Sequence, residues 1–63
     1  MRAPQVGDRW IWVSLPQYTC AVVVAGGRVV DAAPIARWAI GRDERFVADW
    51  FRRRGAKITP LGN

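Results

Sequence analysis

The chain has 63 residues, with ten Lys and Arg against five Asp and Glu, giving a net charge of +5. That length allows one domain, residues 1–63, able to hide only about 60% of the surface its unfolded chain exposes; one cysteine excludes an internal disulfide framework, and the lack of histidine leaves no Cys/His set for zinc. The charge favours acidic partners such as nucleic acid or an acidic protein face, although nine of the ten basic residues are arginine in an Ala-, Val- and Gly-rich chain, a bias that GC-rich coding DNA also produces.

Arg9-Trp10-Ile11-Trp12-Val13-Ser14 is rich in β-formers and sets Trp10 and Trp12 on one face, Ile11 and Val13 on the other, so a first strand with two apolar faces is expected. Leu15-Pro16-Gln17 interrupts it, because proline cannot donate to a ladder. Residues 18–24 then read as a second strand of buried, central character. Cys20, inside that run, is expected as a small buried hydrophobe rather than a reactive thiol. Ala25-Gly26-Gly27-Arg28 reads as a tight hairpin, since Gly-Gly accepts the positive φ angles of a primed turn. It pairs Val24 with Val29 and Val23 with Val30, and makes residues 28–31 a third strand.

The period then changes. Pro34 suits the first turn of a helix, and Ile35, Trp38 and Ala39 fall at i, i+3 and i+4 before Gly41 offers a left-handed stop. A second helix is expected to start at Asp43, whose carboxylate can cap free N–H groups with Glu44 beside it, and to end at Gly55. On a wheel of about 100° per residue, Phe46, Val47, Trp50 and Phe51 form one stripe, expected to lie on the sheet. Arg42, Arg45, Asp49, Arg52 and Arg53 gather on the neighbouring side, with Asp49 as an i, i+4 partner of Arg45 and Arg53. Residues 57–61 offer an edge strand, because Pro60 argues against a central one. The expected fold is α+β: a small three-stranded antiparallel meander, with a fourth C-terminal strand if residues 57–61 pair, and two helices packed on one face, in the order β-β-β-α-α-β.

Catalytic chemistry finds little to stand on. The only serine is Ser14, and Asp8, Asp31, Asp43, Glu44 and Asp49 form no spaced pair for general acid and base roles. Gly26 and Gly27 lack the GxGxxG spacing of a dinucleotide loop. No enzyme activity, cofactor or metal is expected. The candidate contact residues are Arg42, Arg45, Arg52, Arg53 and Arg54, extended by Lys57, with Trp10 and Trp12 as apolar anchors. Four tryptophans and nine arginines supply the residue types that dominate protein interface hot spots. The alternative is a basic nucleic-acid-binding protein, in which the arginine face of the second helix contacts phosphates and Trp10 or Trp12 stacks on unpaired bases.

The run Gly27-Arg28-Val29-Val30-Asp31-Ala32-Ala33-Pro34-Ile35-Ala36-Arg37-Trp38, followed by Gly41 and by a helix carrying Val47 and Trp50, resembles short uncharacterised proteins of actinobacteria and actinobacterial phages. The resemblance covers residues 18–58 and implies no reaction or ligand. It implies an origin in a GC-rich genome and a small accessory or host-modulating protein of bacteriophage type, acting by binding a host or phage macromolecule. The expected partner is therefore a host or phage protein with an acidic surface, with nucleic acid as the alternative and a homodimer open. No apolar run approaches the roughly 18 residues of a membrane span, and Met1-Arg2-Ala3-Pro4-Gln5 lacks a signal-peptide core. The expected place is the cytoplasm of the bacterial host, with no membrane partner.

Overall fold

The computed structural model describes residues 6–60; the expectations for residues 1–5 and for Leu61 lie outside that span. The fold is α+β. Strands β1 (Arg9–Ser14), β2 (Thr19–Ala25), β3 (Arg28–Ala32) and β4 (Lys57–Pro60) form one antiparallel sheet in the order β3-β2-β1-β4. Between β3 and β4 come a 3₁₀ helix (Pro34–Ala39) and one α-helix, α1 (Glu44–Arg53). The fourth, C-terminal edge strand that residues 57–61 offered forms, and the expected pair of helices is corrected in one respect. The C-terminal strand is a full member, paired with β1 at the sheet edge, and the first helix is 3₁₀.

The hairpin between β2 and β3 forms on Gly26 and Gly27, with φ of 60° and 78°, the left-handed values a primed turn needs. Val24 pairs with Val29 as expected, but Val23 pairs with Asp31 and not with Val30. A β-bulge between Val23 and Val24 accounts for the shift. Strict alternation would put Asp31 on the same face as Val29, against the core; the extra residue lets Val29 and Ala32 both point inward, at 1% and 7% exposure, and turns Asp31 away.

The first helix is broken at Ala36, whose φ of −113° and ψ of 19° are not helical, so the segment is two short 3₁₀ pieces joined at a kink. Ala36 and Ala39, three apart, are both fully buried against β2 and β3. Ile35 and Trp38, at i and i+3 of the expected helix, are 54% and 36% exposed. Gly41, at φ 88°, ends the segment. The chain then runs along the outer edge of β3: Val29 N–H donates to Arg42 O at 3.0 Å, Gly41 N–H to Val29 O at 2.8 Å, and Glu44 N–H to Gly27 O at 2.9 Å. The loop between the helices therefore occupies that sheet edge, the exposed feature that otherwise invites foreign strands.

Asp43 caps α1, accepting from Arg45 N–H at 2.8 Å, as the sequence predicts. Helix α1 lies over the face formed by Ile11, Val13, Cys20, Val22, Val24, Val29 and Ile58, and drives Val47 and Phe51 into it at 3% and 1% exposure. Phe46 does not join them. It is 52% exposed, a correction to the expected stripe, because the helix turns a face centred on Val47 and Phe51 to the sheet and leaves Phe46 on its flank. Arg9, on the same sheet face at the far end of β1, reaches Glu44 in the first turn of α1 and ties the two together.

Candidate functional site

The candidate contact residues divide between two sides of the sheet. Trp10 and Trp12 sit on the face turned away from α1; the arginines sit on or beside α1. The two sets do not form one surface. Trp12 is 42% exposed, whereas Trp10 is half-buried, pairs across β2 with the fully buried Val23, and holds its indole N–H with no acceptor. The face that carries them is thus partly closed.

On the helical side, the five arginines are all exposed but differ in what holds them. Arg53 Nε pairs with Asp49 at 2.9 Å, so its charge is locally answered. The expected second pair, Arg45 with Asp49, does not form, and among the described residues Arg45 and Arg52 have no side-chain partner. Arg54 lays its guanidinium carbon 3.5 Å from the centre of the Trp50 ring. Arg42 donates from Nε to Trp38 O at 3.3 Å and sits 5.7 Å from the Phe46 ring centre. Both distances lie within the range of cation–π attraction.

These two arginines frame an aromatic cluster built from both helices. Trp38 meets Trp50 with ring centres 4.4 Å apart and planes at 52°, and Trp50 meets the buried Phe51 edge-on at 5.2 Å and 88°. Trp38 also reaches Phe51, at 5.9 Å. Phe51 is the anchor: it fixes Trp50 and Trp38 from beneath, and they carry apolar surface outward. Phe46, one helical turn before Trp50, extends that surface along α1, and Ile35 shares the exposed 3₁₀ face with Trp38. Exposed apolar side chains in such a group, rimmed by cations, differ from the scattered singles of an ordinary surface.

Sequence reasoning left Trp38 and Phe46 out of the contact set. The signal existed in both cases. Reading the first helix with a three-residue period would have buried Ala36 and Ala39 and exposed Ile35 and Trp38. Placing the stripe of α1 on Val47 and Phe51 would have set Phe46 at its margin.

Among the described residues, a small cleft of about 40 Å³ lies between α1 and the sheet. It is lined by apolar side chains such as Ile11, Val22, Ala48 and Phe51, with Glu44 at its rim. Its lining carries one ionisable side chain, Glu44, whose carboxylate is held by Arg9. Cys20 is buried, and burial pushes its thiol pKa up. Among the described residues no three His, Cys, Asp or Glu side chains gather as metal ligands, and no helix is long and apolar enough to cross a membrane. No protein-family model matches the chain, and no curated protein or solved structure is significantly similar to it.

Proposed function

We propose that the chain is a non-catalytic binding protein that acts through protein–protein contact, in the manner of a small phage-type accessory or host-modulating protein. The observation that carries this reading is the group formed by the exposed Trp38 and Phe46 and the half-buried Trp50, with Arg54 stacked over Trp50 and Arg42 beside Phe46. Aromatic residues and arginine are the types enriched at interface hot spots, and their burial by a partner would remove from water the apolar surface left open here.

The same geometry weighs against the nucleic-acid alternative. Unpaired bases bind by stacking on open ring faces, and the nearest face of Trp50 is already covered by Arg54. Trp12, the exposed ring on the other side of the sheet, has none of the five candidate arginines beside it. Phosphate contact through Arg45 and Arg52 would remain, as a weak and strongly salt-dependent interaction.

The proposed partner is a host or phage protein with an acidic surface, met in the bacterial cytoplasm. Affinity capture from an actinobacterial lysate, with and without nuclease, using the parent and a Phe46→Ser variant, tests the reading. A protein retained after nuclease by the parent and lost from Phe46→Ser supports it. Loss of every retained species on nuclease treatment overturns it in favour of nucleic acid.

A further inference from the structure

Resting on the protein-binding reading, we infer that Arg42 and Arg54 form a pre-organised pair of carboxylate receptors, and that the segment bound here is acidic and amphipathic: an apolar side chain seated on Trp38 and Phe46, with carboxylates on either side. The two arginines arrive from opposite ends of α1. Arg42 precedes Phe46 by four residues and Arg54 follows Trp50 by four, so each side chain folds inward, Arg42 toward Phe46 and Arg54 over Trp50, two rings one helical turn apart on α1.

Each is also held. Arg54 is stacked at 3.5 Å, and Arg42 is fixed through Nε, a bond that does not use its two terminal nitrogens. A guanidinium presented in this way keeps its planar fork for a carboxylate and loses less side-chain freedom on binding than one hanging in water. Arg45 and Arg52 lack such support, and Arg53 is engaged by Asp49. Of the five arginines, then, two are built as receptors. The charge complement of a surface with two fixed cations around exposed rings is a segment with two carboxylates around an apolar residue.

The experiment is selection of a displayed library of random 12-residue peptides on the full chain, followed by titration of the recovered peptides against variants. Recovery of peptides rich in Asp and Glu flanking an apolar residue is expected. Their binding should weaken about tenfold or more in Arg42→Gln/Arg54→Gln and also in Arg42→Lys/Arg54→Lys, which keeps charge and fold but loses the stacked fork. It should be nearly unchanged in Arg45→Gln/Arg52→Gln. Equal loss in the Arg45/Arg52 variant, or full binding by the lysine variant, overturns the inference. Recovery of Phe46-dependent peptides with no acidic preference overturns it while leaving the protein-binding reading standing. Failure to retain any peptide, with retention of a 12-nucleotide single strand, overturns both.

Discussion

Arg9 in β1 donates from Nη2 to both carboxylate oxygens of Glu44, 35 positions later in the chain, at 2.6 and 2.5 Å. One residue thereby answers the sheet's charge and the other the start of α1, where a carboxylate also meets the positive helix end. Since the Arg9 side chain is 54% exposed and that of Glu44 28%, the pair should contribute about 0.5–1 kcal/mol at low salt. A double-mutant cycle on Arg9→Gln and Glu44→Gln, read from urea midpoints, should return a coupling of that size, shrinking in high salt.

Phe51 and Phe46 lie five residues apart on one helix and should behave in opposite ways. Phe51→Ala empties a site that is 1% exposed and removes the support beneath Trp38 and Trp50. The expected loss is about 3–5 kcal/mol, comparable with the stability of so small a domain, and circular dichroism should show a largely unfolded chain. Phe46→Ala, at a position 52% exposed, should change stability by less than about 1 kcal/mol while weakening capture of the partner.

How much of this was legible beforehand follows from what each residue's environment depends on. The glycine turn, the first strand and the Asp43 cap were readable because local geometry decides them: Gly26 and Gly27 accept positive φ whatever surrounds them. The bulge at Val23 and Val24 was not, because it answers a tertiary demand, that Asp31 leave the buried face. The exposure of Phe46 and Trp38 was hidden for the same reason. A periodic stripe says that a helix has an apolar side, but only the angle at which α1 lies on β1, β3 and β4 says where that side ends. The arginines were visible as charge, and the difference between Arg54 on Trp50 and Arg45 in water was not.

The hairpin offers a test in which stability should rise. Gly26 occupies the first position of a turn that needs positive φ twice, a place asparagine tolerates with less freedom to lose on folding. Gly26→Asn should raise stability by about 0.4–1 kcal/mol. Gly27→Ala, at φ 78°, should lower it by about 1–2 kcal/mol. Thermal melts of the two variants should move in opposite directions.

Cys20 gives the pH dependence. Burial raises its thiol above the ordinary value of 9.0, so the folded chain holds this proton more tightly than the unfolded one. That contribution is complete below the unfolded pKa and is lost as pH rises toward the folded one. Stability should therefore fall in the alkaline range, and the cost of Cys20→Ala, measured by urea, should be smaller near pH 10 than at neutral pH. Thiol-reactive reagent should label the native chain far more slowly than the denatured one.

The contact between Trp38 and Trp50, 4.4 Å from centre to centre, brings two strong ultraviolet absorbers close enough to share their excitations. The far-ultraviolet dichroism of the folded chain should carry an exciton couplet superimposed on the signal of the ten-residue helix α1. Helix content read naively from that spectrum would be wrong, and Trp38→Phe should correct it without altering the helix. The couplet is also an intrinsic reporter placed in the proposed contact surface: a ligand that rotates either indole would announce itself optically, with no label attached.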